Sequence, residues 1–209
     1  MIKTIVSTAL PINERFAIRK NIIKNGKGNR RVCIVTGTHG DELEGQMVCY
    51  LVAKQLNENL DLLDGTVEIY PALNPLGIDT IQRGIPNFDL DMNRIFPGNP
   101  NGTMAEQTAH LIVEDLKGAD LVFDIHSSNL YLRETPQERI NVLNEKELVP
   151  LASVSTSTLY GCTMQPPCWS QPLPIHLIPP APSALWRNWE WDSASITRCA
   201  TVSPSASSI

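Results

Sequence analysis

Prolines stand at 166, 167, 172, 174, 179, 180 and 182, a density that forbids a regular helix there and would interrupt any central strand. The surrounding composition shifts with them. Residues 151–209 hold only four charged side chains (Arg187, Glu190, Asp192 and Arg198), no lysine, all four tryptophans and eleven serines, with neither a 3.6-residue nor a 2-residue apolar period. Every stretch that reads as a packed core lies before about Pro150. The chain is therefore expected to comprise an α/β domain over residues 1–150 and an aberrant, poorly ordered Pro/Ser/Trp-rich tail over residues 151–209.

A genuine tail, a loop-rich cap and a segment translated out of its reading frame each account for this break. The genetic code favours the third. Tryptophan has one codon, so reading Asn188-Trp189-Glu190-Trp191-Asp192 from the third base of each codon forces Leu-Gly-(Val or Met)-Gly, a sensible turn. The same frame permits Val-Glu-Glu-Leu-Gly-Val-Gly from Leu185 onward, and a helix-like amphipathic string over Cys168 to Ile178. A frameshifted C-terminal part is the expectation, and sequencing the coding DNA decides it.

Before the break, Arg31 to Thr36 (RVCIVT) is a β-branched run closed by Gly37, and it reads as a buried strand ending in a tight turn. From Asp41 onward, Leu43, Met47, Val48, Leu51, Val52 and Leu56 recur at helical spacing, with acidic residues in the first turn. Thr66 to Leu73 is a second strand, followed by a long loop through Pro100 whose Gly, Pro and Asn content argues against regular structure. Thr103 to Leu116 is helical, and Ala119 to Ile125 is a third strand stopping at His126. This order predicts an α/β fold, a sheet with helices on both faces.

The balance of 17 Lys+Arg against 22 Asp+Glu gives a net charge of −5, which offers a nucleic acid or an anionic membrane no basic surface to grip. No apolar stretch approaches the roughly 20 residues of a membrane helix. Met1 to Ile12 lacks a sustained hydrophobic core and a cleavage site, so a cytoplasmic location is expected. The five cysteines include no CxxC pair, and Cys33 and Cys49 read as small hydrophobes within a strand and a helix.

In open α/β sheets, sites form where loops leave the carboxyl ends of strands, and His39, Glu42 and His126 all lie just past such ends. A loop imidazole, a carboxylate three residues on and a second strand-end imidazole form a His, Glu, His set. Two histidines and a carboxylate hold zinc in carboxypeptidase A and thermolysin, with one position left for water. Such zinc lowers the pKa of water and polarises a carbonyl, so hydrolysis needs no protein nucleophile. Asp124, on the same side of its strand as His126, is placed to accept an imidazole N–H. Arg83, Asn93 and Arg94 supply a wall suited to a substrate carboxylate or a developing oxyanion. His110 reads as a packed or surface histidine, and His176, in the tail, receives no role.

The segments Thr36-Gly37-Thr38-His39-Gly40-Asp41-Glu42 with Glu44-Gly45, Ala72-Leu73-Asn74-Pro75-Leu76-Gly77, Asp91-Met92-Asn93-Arg94-Ile95-Phe96-Pro97-Gly98 and Asp124-Ile125-His126-Ser127 resemble the succinylglutamate desuccinylase/aspartoacylase family of the zinc carboxypeptidase clan. The likeness covers roughly residues 28 to 150. It implies a zinc-carboxypeptidase-like fold, with a mixed, mostly parallel sheet whose C-terminal part is here incomplete or irregular. It also implies one zinc ion per chain on His39, Glu42 and His126, carbonyl polarisation by Arg83, and recognition of a small acidic substrate by Asn93 and Arg94. The activity implied is hydrolysis of acyl-amide or ester bonds, as in N-acyl amino acids. A carboxypeptidase or a catalytically inactive product remain alternatives. Members of the family use a general-base glutamate in a Glu-x-Gly strand end, and no Glu-x-Gly follows His126 in this chain; Glu190 stands at a suitable distance with different neighbours.

Overall fold

A computed structural model describes residues 1–10, 13–132, 137–141, 145–152, 160–163 and 174–178. Its strands are β1 (Ile2–Ala9), β2 (Arg15–Asn25), β3 (Arg31–Thr36), β4 (Gly65–Tyr70), β5 (Leu121–Ile125), β6 (Gln137–Asn141), β7 (Tyr160–Thr163) and β8 (Pro174–Ile178). The helices are α1 (Glu44–Glu58), α2 (Pro75–Thr80), α3 (Met92–Ile95), α4 (Met104–Leu116) and α5 (Glu145–Ala152). All eight strands join one mixed sheet in the order β1-β2-β4-β3-β5-β8-β6-β7. The ladders β3/β4, β3/β5, β5/β8 and β6/β7 are parallel, while β1/β2, β2/β4 and β6/β8 are antiparallel.

Alternation along the strands divides the core between two faces. Val32 and Ile34 of β3, Val67 and Ile69 of β4, and Leu121, Phe123 and Ile125 of β5 pack with Val48, Cys49, Val52 and Leu56 of α1. Cys33, Val35, Tyr70 and Val122 point the other way, against Ala105, Ile112, Val113 and Leu116 of α4. Helix α4 begins at a capping box, in which the Thr103 hydroxyl accepts from the Glu106 N–H while Glu106 accepts from the Thr103 N–H. Among the described residues, no helix is long and apolar enough to cross a membrane.

This topology also fixes where a site can form. From β3 the chain passes through α1 to β4 on one side, whereas β5 lies on the other side of β3. Connections diverge between β3 and β5, and such a switch point opens a crevice beyond the carboxyl ends of the two strands. The Thr36 hydroxyl donates to the Ile125 carbonyl at 3.0 Å and ties those ends together. A Cβ on Gly45 would stand 1.8 Å from Thr36 Oγ1, so only glycine lets α1 start this close to β3.

Several sequence expectations need correction. The N-terminal hairpin β1/β2 went unrecognised, although it supplies one edge of the sheet. Glu42 precedes α1 instead of occupying its first turn, since the helix starts at Glu44. The segment from Pro75 to Pro100 contains two short helices, one opened by Asn74 with Pro75 at its first position and one by Asp91, because capping side chains outweigh its turn-forming composition. The prolines of the tail do not bar a central strand: β8 lies between β5 and β6. Pro174 is its first residue, a place where a strand tolerates proline. Glu190 and the frame-test window 185–192 lie outside the described residues.

Candidate metal centre

His39 follows β3 in a turn that Gly37 enters at φ 68, and His126 directly follows β5. Their rings lie 5.0 Å apart between centroids, tilted by 48°. Glu42 sits between them. Its Oε1 meets His39 Nδ1 at 2.7 Å and accepts from Arg83 Nη1 at 3.1 Å. Its Oε2 meets His126 Nδ1 at 3.0 Å and accepts the Ser127 N–H, also at 3.0 Å. One donor atom each from His39, Glu42 and His126 fall within 4.8 Å of one another, and the three residues form a cluster able to hold a metal ion.

The far nitrogens are also committed. His126 Nε2 lies 3.1 Å from Asp124 Oδ2, and His39 Nε2 lies 3.1 Å from Asp91 Oδ1. A carboxylate on Nε2 holds the ring proton there and leaves the Nδ1 lone pair for an ion. Asp91 does more than this. The same Oδ1 accepts from the Asn93 N–H at 2.9 Å and caps α3, and Oδ2 pairs with Arg83 Nη2 at 3.6 Å. Asp91 is absent from the sequence-derived site, because the turn-forming composition around it hides the short helix it caps.

Burial alone would raise the Glu42 pKa, but the hydrogen bonds from His126 and His39 outweigh it and bring the carboxyl down to about 2. Burial likewise works against charge on His126, and the Asp124 and Glu42 carboxylates on either side reverse this, raising the imidazole to about 10. Asp91 is also lowered: desolvation opposes ionisation, while His39, the Asn93 N–H and Arg83 favour it. The cluster thus sets the ionised Glu42 and Asp91 carboxylates against the His126 imidazole and the Arg83 guanidinium.

Arg83 reaches this cluster from an exposed loop. Asn93 Nδ2 lies 3.2 Å from His39 Nε2, so its amide also borders the site. Arg94 follows on α3 with an exposed side chain, one position from Asn93. Ser127 adds a tie between its hydroxyl and Glu44 Oε2, joining the end of β5 to the start of α1. Cys33 and Cys49 are free and buried away from this cluster, their thiols pushed up to about 12 chiefly by desolvation, which leaves them unreactive.

Fold and cluster together define a doubly wound α/β domain with a two-histidine, one-carboxylate centre at its switch point. The chain belongs to the succinylglutamate desuccinylase/aspartoacylase family, whose catalytic-domain profile matches residues 28–155. It is 30% identical over 127 residues to an N-alpha-acetyl-L-2,4-diaminobutyric acid deacetylase of Halomonas elongata, a match covering 60% of this chain and 36% of that protein. Among solved structures, the succinylglutamate desuccinylase/aspartoacylase from Rhodobacter sphaeroides superimposes with a TM-score of 0.73 at 23% identity, over 95% of this chain and 62% of that one. The product-bound ectoine utilization protein EutE (DoeB) from Ruegeria pomeroyi gives 0.69 at 20% identity, over 93% and 62%. These two likenesses show the fold. The chain spans about a third of the curated relative's length and under two thirds of either structure.

Proposed function

We propose that this chain is the metal-binding part of a zinc-dependent hydrolase that cleaves the acyl-amide bond of small acidic N-acyl amino acids, with one zinc ion per chain on His39, Glu42 and His126. One observation carries the reading: both imidazoles turn Nδ1 toward the Glu42 carboxylate while Asp91 and Asp124 take both Nε2 atoms. Two nitrogens and one carboxylate oxygen suit zinc with a position to spare. The deacetylase named above supports the choice of an acyl-amide bond.

Bound zinc supplies Lewis acidity toward water and the scissile carbonyl. The remaining work falls to the protein. Asp91 and Asp124 fix the tautomer and aim of the imidazoles. Arg83, half-exposed and already beside Glu42, can turn a guanidinium N–H to the oxygen on which negative charge develops. Asn93 and Arg94 offer an amide and a cation to the carboxylate of the substrate. No Glu-x-Gly follows His126 in the sequence, and loss of a general base costs roughly 10² to 10⁴ in rate. That absence favours a second reading, a chain that binds zinc and turns over little or not at all.

Zinc-loaded chain assayed for amine release from N-acetyl and N-succinyl amino acids, with peptides as controls, tests the proposal. Release from the N-acyl amino acids, lowered about 10²- to 10³-fold by Arg83→Ala, is the expected result. Turnover of peptides alone would point to a carboxypeptidase, and one zinc per chain with no turnover to the inactive product.

A further inference from the structure

We propose that Asn74 is the positioning residue that sets Arg83 beside the metal centre. The inference deepens the proposed function, in which Arg83 polarises the carbonyl. The Arg83 side chain is 55% exposed, so packing does not determine where its guanidinium lies. Its two ionic contacts, Glu42 Oε1 at 3.1 Å and Asp91 Oδ2 at 3.6 Å, are available only if the backbone of the loop delivers it there.

That backbone is under strain. Ile81, two residues earlier, adopts φ 52 and ψ 49, a left-handed conformation that a β-branched side chain resists. Such an outlier persists only where its surroundings over-determine it. Here the surroundings are hydrogen bonds, the Ile81 N–H to the Ile78 carbonyl at 3.2 Å and the Gly40 N–H to the Arg83 carbonyl at 3.4 Å among them. The Gln82 N–H donates to the Gly77 carbonyl at 2.9 Å, the Gly40 N–H donates to the Gln82 carbonyl at 3.1 Å, and Asn74 Nδ2 donates to the Gly84 carbonyl at 3.0 Å. Only the last comes from a side chain.

Asn74 is suited to this by both ends of its amide. Its Oδ1 accepts from the Gly77 N–H at 3.0 Å and caps α2, while Nδ2 holds Gly84. One group that both accepts and donates in a fixed plane is what the position requires, and neither a carboxylate nor a hydroxyl reproduces it. The Asn74 backbone N–H donates to the Gly37 carbonyl at 2.8 Å, in the turn that carries His39. A Cβ on Gly40 would stand 2.0 Å from the Gly77 carbonyl carbon and 2.5 Å from the Gln82 oxygen, so the metal-ligand turn, the α2 cap and the Arg83 loop are in backbone contact. Asn74 is 1% exposed and lies at their junction.

The test uses Asn74→Asp in the zinc-loaded chain, which keeps the cap acceptor and removes the donor to Gly84. Amide exchange at Gly40 and Gln82 is expected to accelerate about tenfold, while Ile34 and Val67 exchange as before and zinc stoichiometry is unchanged. In hydrolysis, Asn74→Asp is expected to lower kcat with little change in KM, and to add nothing in an Arg83→Ala background. Unchanged exchange at Gly40 and Gln82 overturns the proposal, as does additivity of the two substitutions. If Asn74→Asp does not fold, Asn74→Ser, which also retains an acceptor, is read the same way. Accelerated exchange without hydrolysis in any variant, parent included, upholds the positioning role and sinks the functional reading.

Discussion

Replacing Lys20 by Met should destabilise the chain by about 3 kcal/mol, the low end of the cost of breaking a buried ion pair. Lys20 points from β2 into the α4 face of the sheet and is buried. Its Nζ donates to Glu68 Oε2 at 2.8 Å, Asp115 Oδ2 at 2.6 Å and the Tyr70 hydroxyl at 3.2 Å. Desolvation would raise the Glu68 pKa, but Arg31, Lys20 and Tyr70 together hold it at about 2, a displacement worth about 3 kcal/mol. Arg31 remains on Glu68 at 2.6 Å in the variant, with the one Tyr70 hydroxyl proton shared between Glu68 at 2.8 Å and Asp115 at 2.7 Å, so this carboxylate loses about 1 kcal/mol of its stabilisation. Asp115 fares worse, left with its share of that proton and an exposed Lys3 at 3.7 Å, and adds about 2 kcal/mol. The pH dependence has a definite sign. A carboxylate whose folded pKa is depressed contributes stability above its unfolded pKa and loses it as pH falls through the folded value. In the parent, Glu68 therefore costs the fold stability between about pH 5 and 2, and with Lys20 gone that decline becomes shallower. Urea unfolding of both chains across pH 3 to 7 measures each effect. A loss under about 1 kcal/mol at pH 7, or an unchanged slope with pH, would refute the reasoning.

Three further outcomes are expected. Asp91→Ala removes the carboxylate on His39 Nε2 and should weaken zinc binding about 10- to 100-fold in chelator competition, as should Asp124→Asn through His126. Thr103→Ala deletes the hydroxyl half of the capping box at α4, leaving the backbone N–H on Glu106, and should cost about 1 kcal/mol in urea unfolding. Gly45→Ala drives a methyl into Thr36 Oγ1 and should cost about 1–3 kcal/mol while loosening the tie to Ile125.

The parts of this fold that could be read from the sequence are those whose signal is local. RVCIVT and LVFDI are apolar runs stopped by turn residues, and they end at the two histidines. The hairpin β1/β2 was not legible because its inward row includes Lys20, and a lysine at an inward position looks solvated until Glu68 and Asp115 arrive from 48 and 95 residues away. Asp124 could be named from strand parity, whereas Asp91 reaches His39 across 52 residues through a loop whose short helix was masked by Pro, Gly and Asn content. Proline counts missed β8 because a strand's first residue needs no N–H in the ladder, the position that Pro174 takes.

The account stands on two imidazoles and a carboxylate sharing one ion. Elemental analysis of the purified chain after dialysis against zinc, in parallel with His39→Ala, measures this directly. The account predicts one zinc per chain in the parent and none retained by the variant. A parent that retains no zinc, or a His39→Ala chain that retains a full equivalent, would contradict it.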